Sequence, residues 1–414
     1  EHNPSHLIRV IPAEGDVTSR PRRPCLPIHP THGHMEEAAV MLLRFLALAF
    51  LVAGLSPAQS ANRNFDIPVL VPVTGFLALE GTAQRNGALL ALATPLAGII
   101  TTPRVADTST SPEVAVNALQ RALRGTPPVA IGASIFGTQM LAMLPIAARA
   151  GVPLLTISGT AKLTELGNPY IFRFFPGDRV VKTAQARYAV EVLGAKRPAL
   201  LYQTTAYGQS GRAELKKRLA ALGASLVFEE ALSPKVKDMA PALTRVVAAR
   251  PDVILLHLHS GPSALVVRQA KALGLTQKII GGSALHQPTT AALLAPGELA
   301  NVCAESASSP ISENTTAFRA FTAEYWARFK SAPDAFALGQ YDAMKMMIAA
   351  LEAGADTPAK MQTWLAGNRY TGLAMTYRSD GKGNMAHDAV IICYDGTGRV
   401  PAVVKRYRNV DGQG

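Results

Sequence analysis

From Phe65 onward, apolar runs of five to eight residues alternate with longer stretches whose apolar positions recur at helical spacing. The pattern predicts strands at 66–73, 98–105, 128–133, 153–157 and 170–174, and again at 198–203, 225–231, 252–258 and 277–281. Between them it predicts helices at 81–93, 112–124, 138–149, 179–193, 208–222, 236–249 and 261–273. The strands are near-continuous apolar runs, such as Asp252-Val253-Ile254-Leu255-Leu256, which is the signature of parallel strands buried on both faces. Repeated strand–helix units of this length imply an α/β, doubly wound architecture with right-handed crossovers. Phe174-Phe175-Pro176-Gly177-Asp178 breaks the rhythm and divides the units into two sets, 65–174 and 179–281, each taken as a lobe of five parallel strands. Beyond them, 313–330, 335–353 and 357–366 read as helices and 373–378, 388–395 and 402–408 as strands, a tail expected to return over both lobes. Two lobes joined in this way enclose a cleft, and ligands bind where the carboxyl ends of strands face it.

The first sixty residues do not share this pattern. Residues 1–40 carry six prolines and five of the chain's nine histidines with no apolar period, and are expected to be disordered or to be upstream sequence outside the natural start. A metal-binding arm at His29, His32 and His34 is the alternative. Residues 41–60 read as a secretory signal peptide: Met41-Leu42-Leu43-Arg44, an apolar run from Phe45 to Leu55, then small residues after Pro57, with cleavage after Ser60. The run is short of the roughly 20 residues needed to span a bilayer. The remainder is expected to be exported to the periplasm.

Composition narrows the function. The net charge of +12 lies wholly beyond residue 60, since the first sixty residues hold equal numbers of acidic and basic groups. The basic residues are scattered, without the clustered Lys/Arg and interleaved aromatics of a nucleic-acid surface, so no nucleic-acid partner is expected. Three cysteines exclude a disulfide-built scaffold; Cys303 and Cys393 lie in strand-like runs and are open to pairing or to remaining free. No nucleophile elbow, zinc-protease helix, phosphate loop or dinucleotide fingerprint is present, so neither an enzyme nor a cofactor is expected.

The chemistry sits just after the strands. Thr74-Gly75-Phe76 leads to Glu80 after the first strand, Ser134-Ile135-Phe136-Gly137-Thr138 follows the third, and Ser158-Gly159-Thr160 follows the fourth. Hydroxyls and free N–H groups at helix starts suit a carboxylate or another small anion. In the second set, Tyr207, the pair His257 and His259, and Ser283 hold equivalent places. His257 and His259 are two apart, so a strand would point both to one face; with His286 they are open to a metal site, and otherwise to a hydrogen-bonded cleft histidine.

Val71-Pro72-Val73-Thr74-Gly75, Ile131-Gly132-Ala133-Ser134, Gly151 to Thr156, Tyr207-Gly208-Gln209-Ser210-Gly211 and Arg268 to Leu275 occur in the order seen in one family. The chain resembles the leucine/isoleucine/valine-binding proteins, the periplasmic solute receptors of ABC transporters, over essentially all of 65–408. The resemblance implies a type I periplasmic binding fold: two doubly wound parallel-sheet lobes joined by three hinge crossings, near Phe175, Glu305 and Gly372. Lobe 1 is then 61–175 plus 306–371, and lobe 2 is 176–305 plus 372–414. It implies a monomer that traps a small carboxylate-bearing solute by hinge closure and delivers it to a membrane permease. By the same resemblance, Ser134 to Thr138 and Ser158 with Thr160 are the stretches expected to hold the ligand carboxylate, and Tyr207 the residue expected to close over the ligand.

The chain departs from the family pattern where relatives grip the ligand ammonium. No acid stands near Ser283, Glu80 replaces a tyrosine usual after the first strand, His259 replaces an aromatic residue, and Gln203 replaces an aspartate. Either Glu80 takes over the ammonium, or Phe76, Phe136 and Tyr207 favour an aromatic or branched acid instead. A sensor of the same fold, reporting to a separate partner, is the competing function.

Overall fold

The computed structural model describes residues 62–412, so the expected disordered segment 1–40 and signal peptide 41–60 lie outside the described residues. Among these, one sheet is built from β1 (Arg63–Val71), β2 (Ile99–Asp107), β3 (Ile131–Ala133), β4 (Leu154–Thr156) and β5 (Ile171–Arg173). Its order is β2-β1-β3-β4-β5, and every neighbouring pair is parallel. Parallel neighbours need crossovers, supplied by α1 (Ala78–Leu92), α2 (Pro112–Ala122) and α3 (Gly137–Ala150). Ile67 and Val69 on β1 face one core with α1, and Leu70 faces another with α2 and α3, so this sheet is covered on both sides.

The second sheet begins after α4 (Asp178–Arg187), which runs on into one wider-wound turn at Tyr188–Val192. Its strands are β6 (Pro198–Gln203), β7 (Phe228–Leu232), β8 (Val253–His257), β9 (Lys278–Gly281) and β10 (Val302–Ser306). They are connected by α5 (Ala206–Ala221), α6 (Ala240–Ala248), α7 (Ser260–Ala272) and the short α8 (Pro288–Ala291). The five strands run parallel, and β13 (Ala389–Cys393) and β14 (Ala402–Tyr407) add to the edge antiparallel, in the order β14-β13-β10-β9-β8-β6-β7. Each lobe therefore carries five parallel strands, the fifth of the second being β10, the strand-like run around Cys303 that was not counted in the second set.

The return segment covers the first sheet. α9 (Thr316–Phe329), α10 (Ala335–Glu352) and α11 (Pro358–Gly367) follow β10, and Ala337, Met344 and Leu351 of α10 join the β1 core. The hairpin β11 (Arg369–Thr371) and β12 (Thr376–Arg378) stays on the same side: the buried Tyr377 ring lies 5.2 Å from Phe174. Asp342 fixes the hairpin turn by accepting from Leu373 N (3.0 Å), Ala374 N (2.9 Å) and the Tyr377 hydroxyl (3.0 Å). The chain remains beside β5 as far as Met385, whose N–H donates to Arg173 O at 3.1 Å, and reaches the second sheet only at β13. The chain thus passes between the sheets three times, at 174–177, after Ser306 and at 386–388. A disulfide joins Cys303 to Cys393 across the registered β10–β13 pair. Among the described residues no helix is long and apolar enough to cross a membrane.

Candidate functional site

The carboxyl ends of the two parallel sheets meet across a cavity with about 410 Å³ of empty space, of which about 30 Å³ has room for the centre of a water molecule. Glu80, Ile135, Ile157 and Gly159 line it from the first sheet, Asp178, Tyr207, His259, Ser283 and Glu305 from the second, and Phe175, Pro176 and Phe336 close one end.

On the first sheet, the loop after β3 is held by its own chain. Ser134 Oγ donates to Gln139 Oε1 at 2.6 Å and accepts from Phe136 N at 3.0 Å, and Ile135 N donates to Gln84 Oε1 at 3.0 Å. The Ser134 hydroxyl is therefore committed within the loop. Thr138 Oγ1 accepts from Ala206 N at 3.4 Å, so it links the start of α3 to the start of α5 across the lobes. The loop after β4 is different. The buried Arg173 guanidinium donates to the carbonyls of Ser158 (3.3 Å), Gly159 (3.2 Å) and Thr160 (2.7 Å). The Ser158 and Thr160 hydroxyls are left buried with no partner. An orphaned buried hydroxyl costs roughly 1–3 kcal/mol.

The second sheet presents rings. His259 follows β8 as the residue before α7, and stacks on Tyr207 with ring centres 4.9 Å apart and planes 26° apart. Phe76 and Phe136 meet edge to face at 5.4 Å and both approach His259, at 5.7 and 6.2 Å. His257 lies beneath Tyr207, 3.7 Å between ring centres, and its Nε2 is 3.0 Å from Tyr207 O. A carbonyl only accepts, so Nε2 carries the proton and Nδ1 is a bare lone pair. Burial pushes His257 well below the usual imidazole range and His259 down to about 3, so both rings are neutral at pH 7. His286 is turned away, with Nδ1 2.7 Å from Ser283 O.

Three carboxyl groups reach the same cavity. Glu80 Oε1 accepts from Ser260 N (2.9 Å) and Ser260 Oγ (2.7 Å) across the lobes, while Oε2 has no partner. Burial raises its pKa, and the Ser260 hydrogen bonds oppose that rise. Glu305 is neutralised: Lys182 Nζ lies 2.6 Å away, and Ser283 donates from N (3.2 Å) and Oγ (2.6 Å). Asp178, the first residue of α4, is buried with neither oxygen hydrogen-bonded. Burial pushes it up to about 7; the Lys182 charge and the nearby Ser210 hydroxyl oppose the shift.

Of the ten residues expected at the site, Glu80, Tyr207, His259 and Ser283 line the cavity. Phe76 and Phe136 reach it through His259, and Ser158 and Thr160, which are not in its lining, have unpartnered buried hydroxyls. Ser134 and Thr138 are engaged elsewhere, as described. Asp178, Glu305 and Ser260 were not anticipated. The acid missing beside Ser283 in sequence is supplied in space by Glu305, from a strand 22 residues away. Asp178 had one local signal, an acid directly after the Pro176-Gly177 break.

Residues 65–398 match the family model described as periplasmic binding protein. A Leu/Ile/Val-binding protein of Rhizobium johnstonii is 27% identical over 314 residues, 73% of this chain and 83% of the relative. Among solved structures, the branched-chain amino acid transporter substrate-binding protein of Streptococcus pneumoniae, in complex with isoleucine, superposes with a TM-score of 0.75 at 22% identity, covering 83% of this chain and all (100%) of that one. A solute-binding protein of an ABC transporter from Rhodopseudomonas palustris, in complex with 3,4-dihydroxybenzoic acid, gives 0.75 at 21% identity, covering 84% and 98%.

Proposed function

Because this chain belongs to the periplasmic binding protein family, we propose that it is the periplasmic receptor of an ABC importer, trapping a small carboxylate-bearing solute between its lobes and presenting the closed form to a membrane permease. The observation that carries this reading is the cavity itself. It lies between the carboxyl ends of two sheets, and both sides contribute buried polar atoms without partners: Glu80 Oε2 on one, Asp178 and His259 Nε2 on the other, with the unpartnered Ser158 and Thr160 hydroxyls flanking Gly159 of the lining. A finished protein core satisfies such atoms; a ligand site leaves them for its guest. The ligand class spans the amino acids named for the Rhizobium and Streptococcus relatives and the aromatic acid of the Rhodopseudomonas one.

In this reading Ser158 and Thr160 receive the ligand carboxylate, and Tyr207 with His259 forms the opposite wall. Closure is a hinge motion at the three crossings, and the ligand favours the closed state through contacts that exist only there. The lobes divide as 62–175 with 310–385, and 178–306 with 389–412, which moves the third crossing later than the Gly372 expected from sequence. Residues 41–60 serve as the export signal. Micromolar affinity corresponds to about −8 kcal/mol, within reach of several hydrogen bonds and one buried apolar group.

Mass spectrometry of solute released from the purified protein, paired with small-angle scattering before and after its return, tests the proposal. The expected result is a small carboxylate-bearing molecule that contracts the particle. A particle that keeps one radius of gyration with every amino acid and aromatic acid offered overturns it.

A further inference from the structure

Between the hairpin β11–β12 and the strands β13 and β14 runs a groove with about 1040 Å³ of empty space, of which about 360 Å³ has room for the centre of a water molecule. We propose that this groove is a binding site for a small polyvalent oxyanion, gripped by Arg369 and Arg378 on one wall and by Arg406 and Arg408 on the other. It shares no lining residue with the cavity between the two parallel sheets.

The first wall breaks a pairing rule. Arg369 and Arg378 stand directly opposite each other in the antiparallel hairpin, and like charges so placed destabilise a strand pair. The next pair along, Tyr370 with Tyr377, packs into a core of the first sheet. Side chains alternate along a strand, so Arg369 with Arg378 and Thr371 with Thr376 share the opposite face, and all four line the groove. A local conflict of this kind belongs where a function compensates for it, and an anion between the two guanidiniums does so. On the second wall Arg406 and Arg408 flank Tyr407, which is buried in a core of the second sheet. Arg369 and Arg408, one from each wall, are exposed and take part in no ion pair among the described residues.

The neighbouring acids do not cancel this charge. Among the described residues the only acid in the lining is Asp388, and it accepts from Asn409 N at 2.8 Å. Glu313, outside the lining, pairs with Arg406. Asp411 is bound to His387 Nδ1 at 3.0 Å, and His387 Nε2 donates to the Arg378 carbonyl at 2.8 Å. Four arginines thus line the groove against one carboxylate. Guanidinium forks take phosphate and carboxylate oxygens two at a time. Room of this size exceeds what one phosphate fills and suits a guest with two or more anionic groups, one for each pair of arginines. The hairpin packs beside the first sheet and β14 is the edge of the second, so a guest holding both walls braces one against the other.

The test is isothermal calorimetry with pyrophosphate, with orthophosphate and with phosphatidylglycerol vesicles, paired with melting curves. One pyrophosphate is expected per chain, bound about tenfold or more tighter than orthophosphate, with a melting temperature that rises as pyrophosphate is added. The double variant Arg369→Gln, Arg408→Gln changes two exposed side chains and is expected to weaken pyrophosphate about tenfold or more. Arg149→Gln with Lys217→Gln, which removes the same charge from α3 and α5, and Thr160→Ala, which alters the cleft, are each expected to stay within about twofold of the parent. Equal losses in the two double variants mean an adventitious ion only. A groove variant that binds like the parent, a loss confined to Thr160→Ala, or vesicle binding without pyrophosphate binding places the anion elsewhere. Each of these results, like an absence of pyrophosphate binding, overturns the assignment and leaves the receptor reading to its own scattering test.

Discussion

Thr160 and Asp342 illustrate two fates of a buried polar side chain. The Thr160 hydroxyl has no partner, so removing it costs the empty protein little. Thr160→Ala is expected to leave the melting temperature within a degree or two while weakening ligand binding about tenfold or more, read by calorimetry; Tyr207→Ala is expected to weaken binding as well. Asp342 is fully engaged yet buried, and its pKa is pushed up to about 6 from 3.8. A raised folded pKa means the folded state holds its proton longer, so the stability is present below the unfolded pKa and is lost as pH rises toward 6. Compared with Asp342→Asn, which cancels the contributions of other groups, the parent is expected to lose up to about 3 kcal/mol of relative stability between pH 4 and 7, measured by urea unfolding at each pH. The residues after the strands were legible in sequence because a parallel sheet must aim its carboxyl ends at one edge. Asp178 and Glu305 were not, because nothing local marks a carboxylate as buried: the neighbours that bury them come from α5, β8 and the loop after β9. The engagement of Ser134 was equally hidden, since its partner Gln139 reads as an ordinary helix residue.

At the scale of elements, the apolar runs located β1, β4, β6, β8 and β9 because both faces of those strands are covered. β10 was read only as a strand-like run around Cys303 and not counted in the second set, because Glu305 and Ser306 cut its apolar run short, although all five of its residues are buried. The third crossing, which the resemblance put near Gly372, lies later in the chain, which at Gly372 turns into a hairpin anchored by Asp342 instead of leaving the lobe. The contact between α1 and α10 rests on a glycine. A Cβ at Gly87 would stand 1.9 Å from Ala337 O, a backbone atom that cannot rotate away. Gly87→Ala is expected to pry the helices apart and to cost about 1–3 kcal/mol, measured by denaturant unfolding, with ligand affinity falling because α1 also carries Glu80.

For the whole molecule, buried polar contacts join the lobes. Glu80 to Ser260 is the most buried of these, and Gln287, bonded to Ser260, also reaches Asp334 at the start of α10. Ser260→Ala is expected to weaken affinity several-fold through faster release and a larger mean radius of gyration, seen by stopped-flow and scattering. The Cys303–Cys393 disulfide ties two neighbouring strands of the second sheet and closes a 90-residue span that includes the return segment over the first sheet. Its reduction is expected to lower stability by about 2–4 kcal/mol, read as a drop in melting temperature with dithiothreitol that the Cys303→Ser, Cys393→Ser double variant reproduces without reductant.

The order in which the chain visits the two sheets has a further consequence for how the protein is made. β1 to β5 are synthesised first, yet α10, which covers the Ile67 and Val69 face, comes only after the whole parallel portion of the second sheet. A nascent chain that has reached β10 carries one lobe with its greasy side uncovered and another still lacking β13 and β14. Neither half has its full set of covering elements until the last hundred residues are in place, so a fragment ending at Gly177 is expected to aggregate where the full chain does not, read by light scattering.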